Sequence, residues 1–305
     1  MSIDIIGPEA EAHLDWLSLI ETLAAGHALP KAEIGDTFLF RDPDTLLSRA
    51  AWIDGMGIAV KSATVFPRNP ARGTPMINGA VNLYADADGT LEAILDFHLV
   101  TKWKTAGDSL LAASRLARKD SKTILIVGAG TVGRSLRQAY SALFPDARFL
   151  IWNRSPAGAE AFAAEAANTD VAPDLKAAIG VADIVASATM TTEPLIRGDW
   201  LRPGQHIDLI GAYRPDMREV DDTALHRASI HVDSRDTTLD HIGEIKIPLE
   251  TGAIRKTDIL ADYYELDTGR FARHDRDQIT LFKNGGGAHL DLMTSRYILD
   301  AWRAR

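Results

Sequence analysis

Two groups of residues in this chain have types and spacings that could do chemistry. The first is Thr123-Ile-Leu-Ile-Val127-Gly128-Ala-Gly130-Thr131-Val132-Gly133-Arg-Ser-Leu, three glycines set directly after an apolar strand and before a helix. A dinucleotide site needs this arrangement. Gly128 makes the tight turn, Gly130 lets the backbone approach a pyrophosphate, and Gly133 lets the helix pack close to the strand. The helix N-terminus then offers unpaired N–H groups and a partial positive charge to the phosphates. The end of the next strand selects the cofactor: a carboxylate there grips a ribose 2′-hydroxyl, whereas an arginine accommodates a 2′-phosphate. This chain reads Ile151-Trp152-Asn153-Arg154-Ser155, with no acid, and Arg154 can pair with a phosphate through two bonds. The pattern favours NADP(H), with NAD(H) as the alternative. The second group centres on Lys61, in the apolar strand Gly57-Ile-Ala-Val-Lys61-Ser-Ala-Thr-Val65. An unpaired ammonium there would be expensive, which points to a chemical role.

Elements that must position these residues follow from periodicity. Apolar residues Leu14, Leu17, Leu19, Ile20 and Leu23 recur at roughly helical spacing and predict a helix over 8–27, with acids near its start. Strands are expected at 37–41, 46–53, 57–65, 79–85 and 91–97. The last two are joined by Asp86-Ala-Asp-Gly-Thr, with glycine where a turn needs positive φ. A helix over 101–119 with Thr101 as its N-cap completes a mixed α+β unit with an antiparallel sheet. From Lys122 onward, near-continuous apolar strands at 123–127, 148–153, 184–188, 206–211, 229–232 and 278–283 alternate with helices, as in a parallel sheet covered on both faces. The tail, 289–305, reads as a helix that packs back on the first unit. The expectation is therefore an α/β protein: a Rossmann-type, doubly wound parallel-sheet domain over 119–288, and a discontinuous α+β substrate domain from 1–118 with 289–305.

Composition bounds the rest. The 305 residues favour two domains, and 33 basic against 42 acidic residues leave a formal charge of −9. That balance argues against nucleic-acid partners, which need concentrated positive charge, and against a polybasic membrane surface. No cysteine is present, so disulfides, thiol nucleophiles and zinc–thiolate sites are excluded. The first residues carry neither a basic segment nor a long apolar run, so a soluble, cytoplasmic protein is expected. His231, Asp233, Asp236, Asp240 and His241 lie close in sequence but without recognised metal-ligand spacing, and read as a solvated loop; no metal is expected.

Further residues resemble a known family along nearly the whole chain. The co-linear order Pro30-Lys31, Arg49, Lys61, Phe66-Pro-Arg-Asn69-Pro, Leu99-Val-Thr101-Lys-Trp-Lys104-Thr105-Ala106, the Gly128 turn, Ser187-Ala188-Thr189, Ile207-Asp-Leu-Ile-Gly211-Ala and Leu281-Phe-Lys-Asn284-Gly285 is similar to the ornithine cyclodeaminase/mu-crystallin family. The resemblance implies a Rossmann domain plus a discontinuous domain that forms a homodimer interface. It implies hydride exchange at the α-carbon of a small amino acid or its imine. By the same resemblance Lys61 is the active-site lysine, Arg49 receives the substrate carboxylate, and Lys31 is a basic substrate-binding position. Lys104 falls where most members have arginine, keeping the charge but losing the fork. Thr105, Ala188, Thr189, Gly211 and Asn284 join Gly128, Gly130, Thr131, Val132, Gly133, Asn153, Arg154 and Ser155 as the expected cofactor residues. Asp291 matches a family aspartate, although helix capping accounts for it equally well.

One departure separates the candidate activities. Cyclodeaminases and the alanine dehydrogenase have aspartate two residues after the glycine matching Gly211, where this chain has Tyr213, with Asp216 a possible substitute. The run Arg214-Pro-Asp216-Met-Arg218-Glu219 is instead similar to mu-crystallin and bacterial pyrroline-carboxylate reductases, which reduce a preformed C=N bond. The expectation is an NADPH-dependent reductase of a cyclic ketimine acid, Δ1-pyrroline-2-carboxylate or Δ1-piperideine-2-carboxylate. In it, Lys61, its pKa depressed by neighbouring cations, would protonate the nitrogen. Ornithine cyclodeamination, alanine-dehydrogenase-like chemistry and non-catalytic ligand binding of the mu-crystallin kind are the alternatives.

Overall fold

The computed structural model describes residues 3–305, which form two compact units, 3–104 with Gly287–Arg305 and Thr105–Gly286. The first holds strands β1 (Asp4–Ile6), β2 (Glu33–Arg41), β3 (Asp44–Ile53), β4 (Gly57–Val65), β5 (Ile77–Tyr84) and β6 (Leu91–Asp96) in one sheet, ordered β1-β6-β5-β4-β3-β2. Every pairing is antiparallel except the parallel β1–β6. Burial along β4 alternates with the pleat, so Gly57, Ala59, Lys61 and Ala63 share the covered face. Against β3 and β4 packs the terminal helix (Ala288–Arg303), which also contacts helix α1 (Trp16–His27). The hairpin turn between β5 and β6 places Gly89 at φ +69°, as its sequence requires.

Three local expectations are corrected. The segment 8–27 is not one helix: a 3₁₀ turn at Pro8–His13 ends at extended Leu14, and Asp15 then caps α1 by accepting from Ser18 N at 2.8 Å. Helix α2 starts four residues before Thr101 and spans Phe97–Leu116. Asp96 Oδ1 accepts from Leu99 N at 2.7 Å, so Thr101 lies inside the helix with its hydroxyl available to another partner. The unit boundary falls at Lys104/Thr105, within α2, and not at 118/119. The remainder of α2 belongs with the second unit because Ser109 Oγ donates to Asp208 and Tyr263 OH to the Asp108 carbonyl.

The second unit contains β7 (Thr123–Val127), α3 (Thr131–Leu143), β8 (Arg148–Trp152), α4 (Pro156–Ala164), β9 (Thr169–Val171), α5 (Leu175–Val181), β10 (Ile184–Ser187), β11 (His206–Leu209), α6 (Asp222–Arg227), β12 (Ser229–Val232), α7 (Arg235–Thr238), α8 (Gly243–Thr251), β13 (Ile259–Ala261) and β14 (Thr280–Lys283). The terminal helix of the first unit is α9. All eight strands of the second unit are parallel, in the order β13-β12-β14-β11-β10-β7-β8-β9. Strands β7, β10, β11 and β14 are buried almost throughout, which explains their unbroken apolar runs. Strand order reverses between β7 and β10, the switch point at which open α/β sheets hold ligands beyond the strands' carboxyl ends. Short β9 and β13 were not legible in the pattern. No helix among the described residues is long and apolar enough to cross a membrane.

Candidate active site

In the first unit, pairing register sets the cationic group. Asp36, Arg49 and Lys61 are successive cross-strand neighbours on β2, β3 and β4, so their side chains stand in a row on one face. Arg49 Nη2 donates to Asp36 Oδ2 at 2.7 Å, and Lys61 Nζ donates to Thr101 Oγ1 and Asp291 Oδ1, both at 2.8 Å. Lys61 is 7% exposed and its ammonium sits 4.7 Å from the Phe97 ring centroid. Asp291 therefore acts as the lysine's counter-ion, and the capping account falls away: no side chain caps α9, whose N-cap is Gly287. Lys104 is buried too, and its charge acts on both Lys61 and Asp291.

Burial lowers the Lys61 pKa to about 8; Asp291 opposes that shift, while Lys104 and Arg49 add to it. Desolvation, more than crowding by cations, is thus the principal cause. Burial works against the Asp291 carboxylate, yet Lys61, Lys104 and Arg49 hold its pKa below the usual carboxylate value. Buried His289, on α9, is pushed down to about 3 by burial first and then by Lys104, with Arg49 and Lys31 contributing, so it stands as a neutral imidazole against His27, ring centroids 5.2 Å apart. The structure brings Arg49, Lys61 and Lys104 around Asp291, and leaves Lys31 exposed at the edge of the group. Asp36, Thr101 and His289 were missed from sequence. Asp36 lies outside the strand expected at 37–41, and because β2 is exposed along its whole length no alternation in the sequence marks the face on which Asp36 meets Arg49.

In the second unit, the glycines act through close approach. A Cβ on Gly128, at φ +113°, would meet the Ala188 carbonyl oxygen at 2.8 Å, and one on Gly133 would meet the Gly128 oxygen at 2.3 Å. Gly130 faces open space, α3 starts with no side-chain cap, and Thr131 and Val132 are exposed. A phosphate approaching this turn would meet uncapped N–H groups and no side chain in the way, so the residues present fit a dinucleotide. Arg134 closes the other side of the turn: its guanidinium donates to the Ala129 carbonyl and pairs with both oxygens of Glu165 at 2.7 Å. Asn153 Oδ1 accepts from Ala129 N at 3.1 Å, and its amide donates to the Ser155 carbonyl at 3.0 Å. The side chain in the usual acid's place is therefore occupied in holding the loop, while Arg154 and Ser155 lie exposed. Gly211 lies against Thr189, whose carbonyl oxygen a Cβ would meet at 1.9 Å. Asn284 Nδ2 donates to the Thr105 carbonyl at 3.0 Å and to Ser109 Oγ at 3.1 Å.

Two secondary readings change. His231 and Asp233 are fully buried, not solvated; Asp233 accepts from Ser234 N, Thr238 Oγ1 and Gly286 N, while Asp236, Asp240 and His241 are exposed. Among the described residues no group of three or more such side chains is placed to hold a metal. Asp216 is exposed and held by Arg214 through two bonds of 2.9 Å, so nothing suggests that it replaces the aspartate missing at Tyr213.

Residues 51–305 match the model of the ornithine cyclodeaminase/mu-crystallin family. The chain belongs to this family. Among its relatives, the Δ1-pyrroline-2-carboxylate reductase of Paracoccus denitrificans is 50% identical over 296 residues, 95% of this chain and 94% of that protein. The ketimine reductase mu-crystallin of Mus musculus is 32% identical over 246 residues, 80% of this chain and 76% of that protein. Among solved members of the fold, the Δ1-pyrroline-2-carboxylate reductase of Thermococcus litoralis, in complex with NADH and L-proline, aligns with TM-score 0.89 at 25% identity, covering 99% of this chain and 98% of that one.

Proposed function

We propose that this protein is a nicotinamide-dependent reductase of cyclic ketimine acids, converting Δ1-pyrroline-2-carboxylate or its six-membered homologue to the saturated imino acid. The carrying observation is the buried Lys61–Asp291 pair flanked by Arg49 and Lys104. Reducing a C=N bond beside a carboxylate requires that carboxylate to be fixed and the nitrogen to be protonated, because an iminium carbon accepts hydride far more readily than an imine. Arg49 and Lys104, with Lys31 at the edge, are the cations that bind the carboxylate through charge-assisted bonds. Lys61 gives its proton to the nitrogen, and a pKa of about 8 leaves it charged at neutral pH yet able to part with a proton. Asp291 and Thr101 aim the ammonium. When bound, the reduced nicotinamide supplies a hydride to the imine carbon; Gly128, Gly130, Thr131, Val132 and Gly133 hold its diphosphate, and Thr105, Ala188, Thr189, Gly211 and Asn284 hold the nicotinamide half. One hydride and one proton add across C=N, and no ammonia is formed or expelled.

The experiment is a substrate panel run with both NADPH and NADH: the two cyclic ketimines, ornithine, and pyruvate with ammonia. Cofactor oxidation with the ketimines and none with pyruvate plus ammonia is expected; proline and ammonia from ornithine, or no turnover of any imino acid, would overturn the reading. For the cofactor we favour NADP(H), supported by Arg154 beyond β8 where no acid stands. Replacing Arg154 with Asp deletes a charge-assisted pair and adds repulsion, so the NADPH/NADH ratio of kcat/KM should fall by about ten- to hundredfold. An unchanged ratio would leave Arg154 as surface charge.

A homodimer also belongs to this reading. Edge strand β2 carries Phe38, Leu39 and Phe40 at 50%, 62% and 77% exposure, and proteins generally cover an apolar edge of that kind. A monomer by sedimentation at micromolar concentration would remove it.

A further inference from the structure

The second unit contains a charged group that the proposed chemistry does not use. Glu219 is fully buried, just before α6, and its two oxygens take five donors. Oε1 accepts from Ser187 Oγ at 2.5 Å, Thr189 N at 2.9 Å and Thr189 Oγ1 at 2.8 Å. Oε2 accepts from Gly211 N at 2.7 Å and Ala212 N at 3.2 Å. One carboxylate thus ties the segment after β10 to the segment after β11. These are the two segments that meet where Gly211 lies against Thr189 with no room for a side chain. Glu219 is itself fixed from below, since Glu244 Oε2 accepts from Glu219 N at 2.7 Å and Glu244 Oε1 from Val220 N at 3.1 Å. Three of the five donors are backbone N–H groups, which can only donate, and they fall on both oxygens, so an acceptor-only carboxylate answers them all whereas an amide could answer those at one position only. The two segments that Glu219 joins carry Thr189 and Gly211, which the proposed function gives to the nicotinamide half.

We propose that Glu219 is the positioning residue of the nicotinamide half of the cofactor site: it touches neither cofactor nor substrate, and sets the spacing of Thr189 and the Gly211–Ala212 backbone that do. The inference rests on the dinucleotide reading above. The test is direct titration of the full-length protein with NADH and with NADPH, followed by cofactor fluorescence, alongside steady-state kinetics with Δ1-pyrroline-2-carboxylate. Glu219→Gln keeps shape but turns an NH₂ toward at least one backbone N–H, that of Thr189 where its oxygen faces Gly211 and Ala212. The Kd for reduced cofactor should rise about ten- to hundredfold, while KM for the imino acid at saturating cofactor stays within about twofold. Ser187→Ala covers the case in which Glu219→Gln does not fold. The Ser187 hydroxyl is fully buried and spends its proton on Glu219, so it can reach a ligand only through Glu219. Its loss should weaken cofactor binding by about threefold to tenfold. If either folded variant binds cofactor as the parent does and merely melts earlier, Glu219 is structural and the proposal fails. If the parent itself binds neither nucleotide, the dinucleotide reading fails instead, and the two failures are told apart by the parent alone.

Discussion

Lys61→Met should lower kcat/KM for ketimine reduction by about a hundred- to ten-thousandfold, the range set by removing a positioned general acid. Methionine keeps the length and apolar stem that β4 buries, so the loss reports on the ammonium and not on a cavity. In the parent, reduction should proceed on a plateau at neutral pH and fall about tenfold per pH unit above about 8, where Lys61 gives up its proton. The titration of Lys61 does not itself weaken the fold over that limb. The native pKa of about 8 lies below the ordinary lysine value of 10.5, so between them the unfolded chain binds more protons at this site than the native one. The contribution of this site to stability therefore rises with pH over the window in which activity falls. A Lys61→Met enzyme within tenfold of the parent, measured at equal folded fraction by near-ultraviolet circular dichroism, would remove Lys61 as proton donor.

How much of this is legible in the sequence depends on whether the signal is local. The Gly128–Gly133 turn and β4 around Lys61 announce themselves because the strand, the glycines and the out-of-place cation are contiguous. The partners of Lys61 do not. Asp291 is 230 residues away and joins it only because α9 packs on β3 and β4. Thr101 reads as a helix cap until Asp96 is found to start α2 earlier. The break between the 3₁₀ turn and α1 was hidden by an apolar spacing that continues across it, since periodicity does not register the Asp15 side chain's preference for bonding Ser18 N. Glu219 carries a fainter sign, an acid beside Val220, but its five donors come from two segments, at 187–189 and 211–212, that only the parallel sheet brings together. Family resemblance supplied roles for Arg49, Lys31 and Lys104. What the structure adds is the register that sets Arg49 opposite Lys61, and the buried carboxylate between the cations.

Asp291→Asn should leave a folded catalyst that loses activity at lower pH than the parent as pH rises, and the direction of its pH response separates two accounts of the alkaline limb. Asp291 raises the Lys61 pKa both by its charge and by accepting its hydrogen bond, against a larger lowering from burial. With the carboxylate neutralised, burial and the charges of Lys104 and Arg49 act unopposed, so the lysine loses its proton at lower pH. The limb of kcat/KM should move down from about 8 toward neutrality, and well above pH 8 the variant should fall up to about tenfold below the parent for each unit that the limb moves. The residual rate should recover as pH is lowered, which a simple loss of structure would not produce. A limb that came from the imino acid's own nitrogen would stay where it was, because that group titrates in solution irrespective of position 291. Breaking a buried pair by removing one partner typically costs about 3–5 kcal/mol of stability, so melting must be followed alongside. The double variant Lys61→Met with Asp291→Asn, which leaves neither charge alone, should melt higher than Lys61→Met. If instead the Asp291→Asn profile keeps the parent's limb at reduced amplitude, Asp291 shapes the fold of α9 against β4 without tuning the lysine. The proton would then have to come from elsewhere.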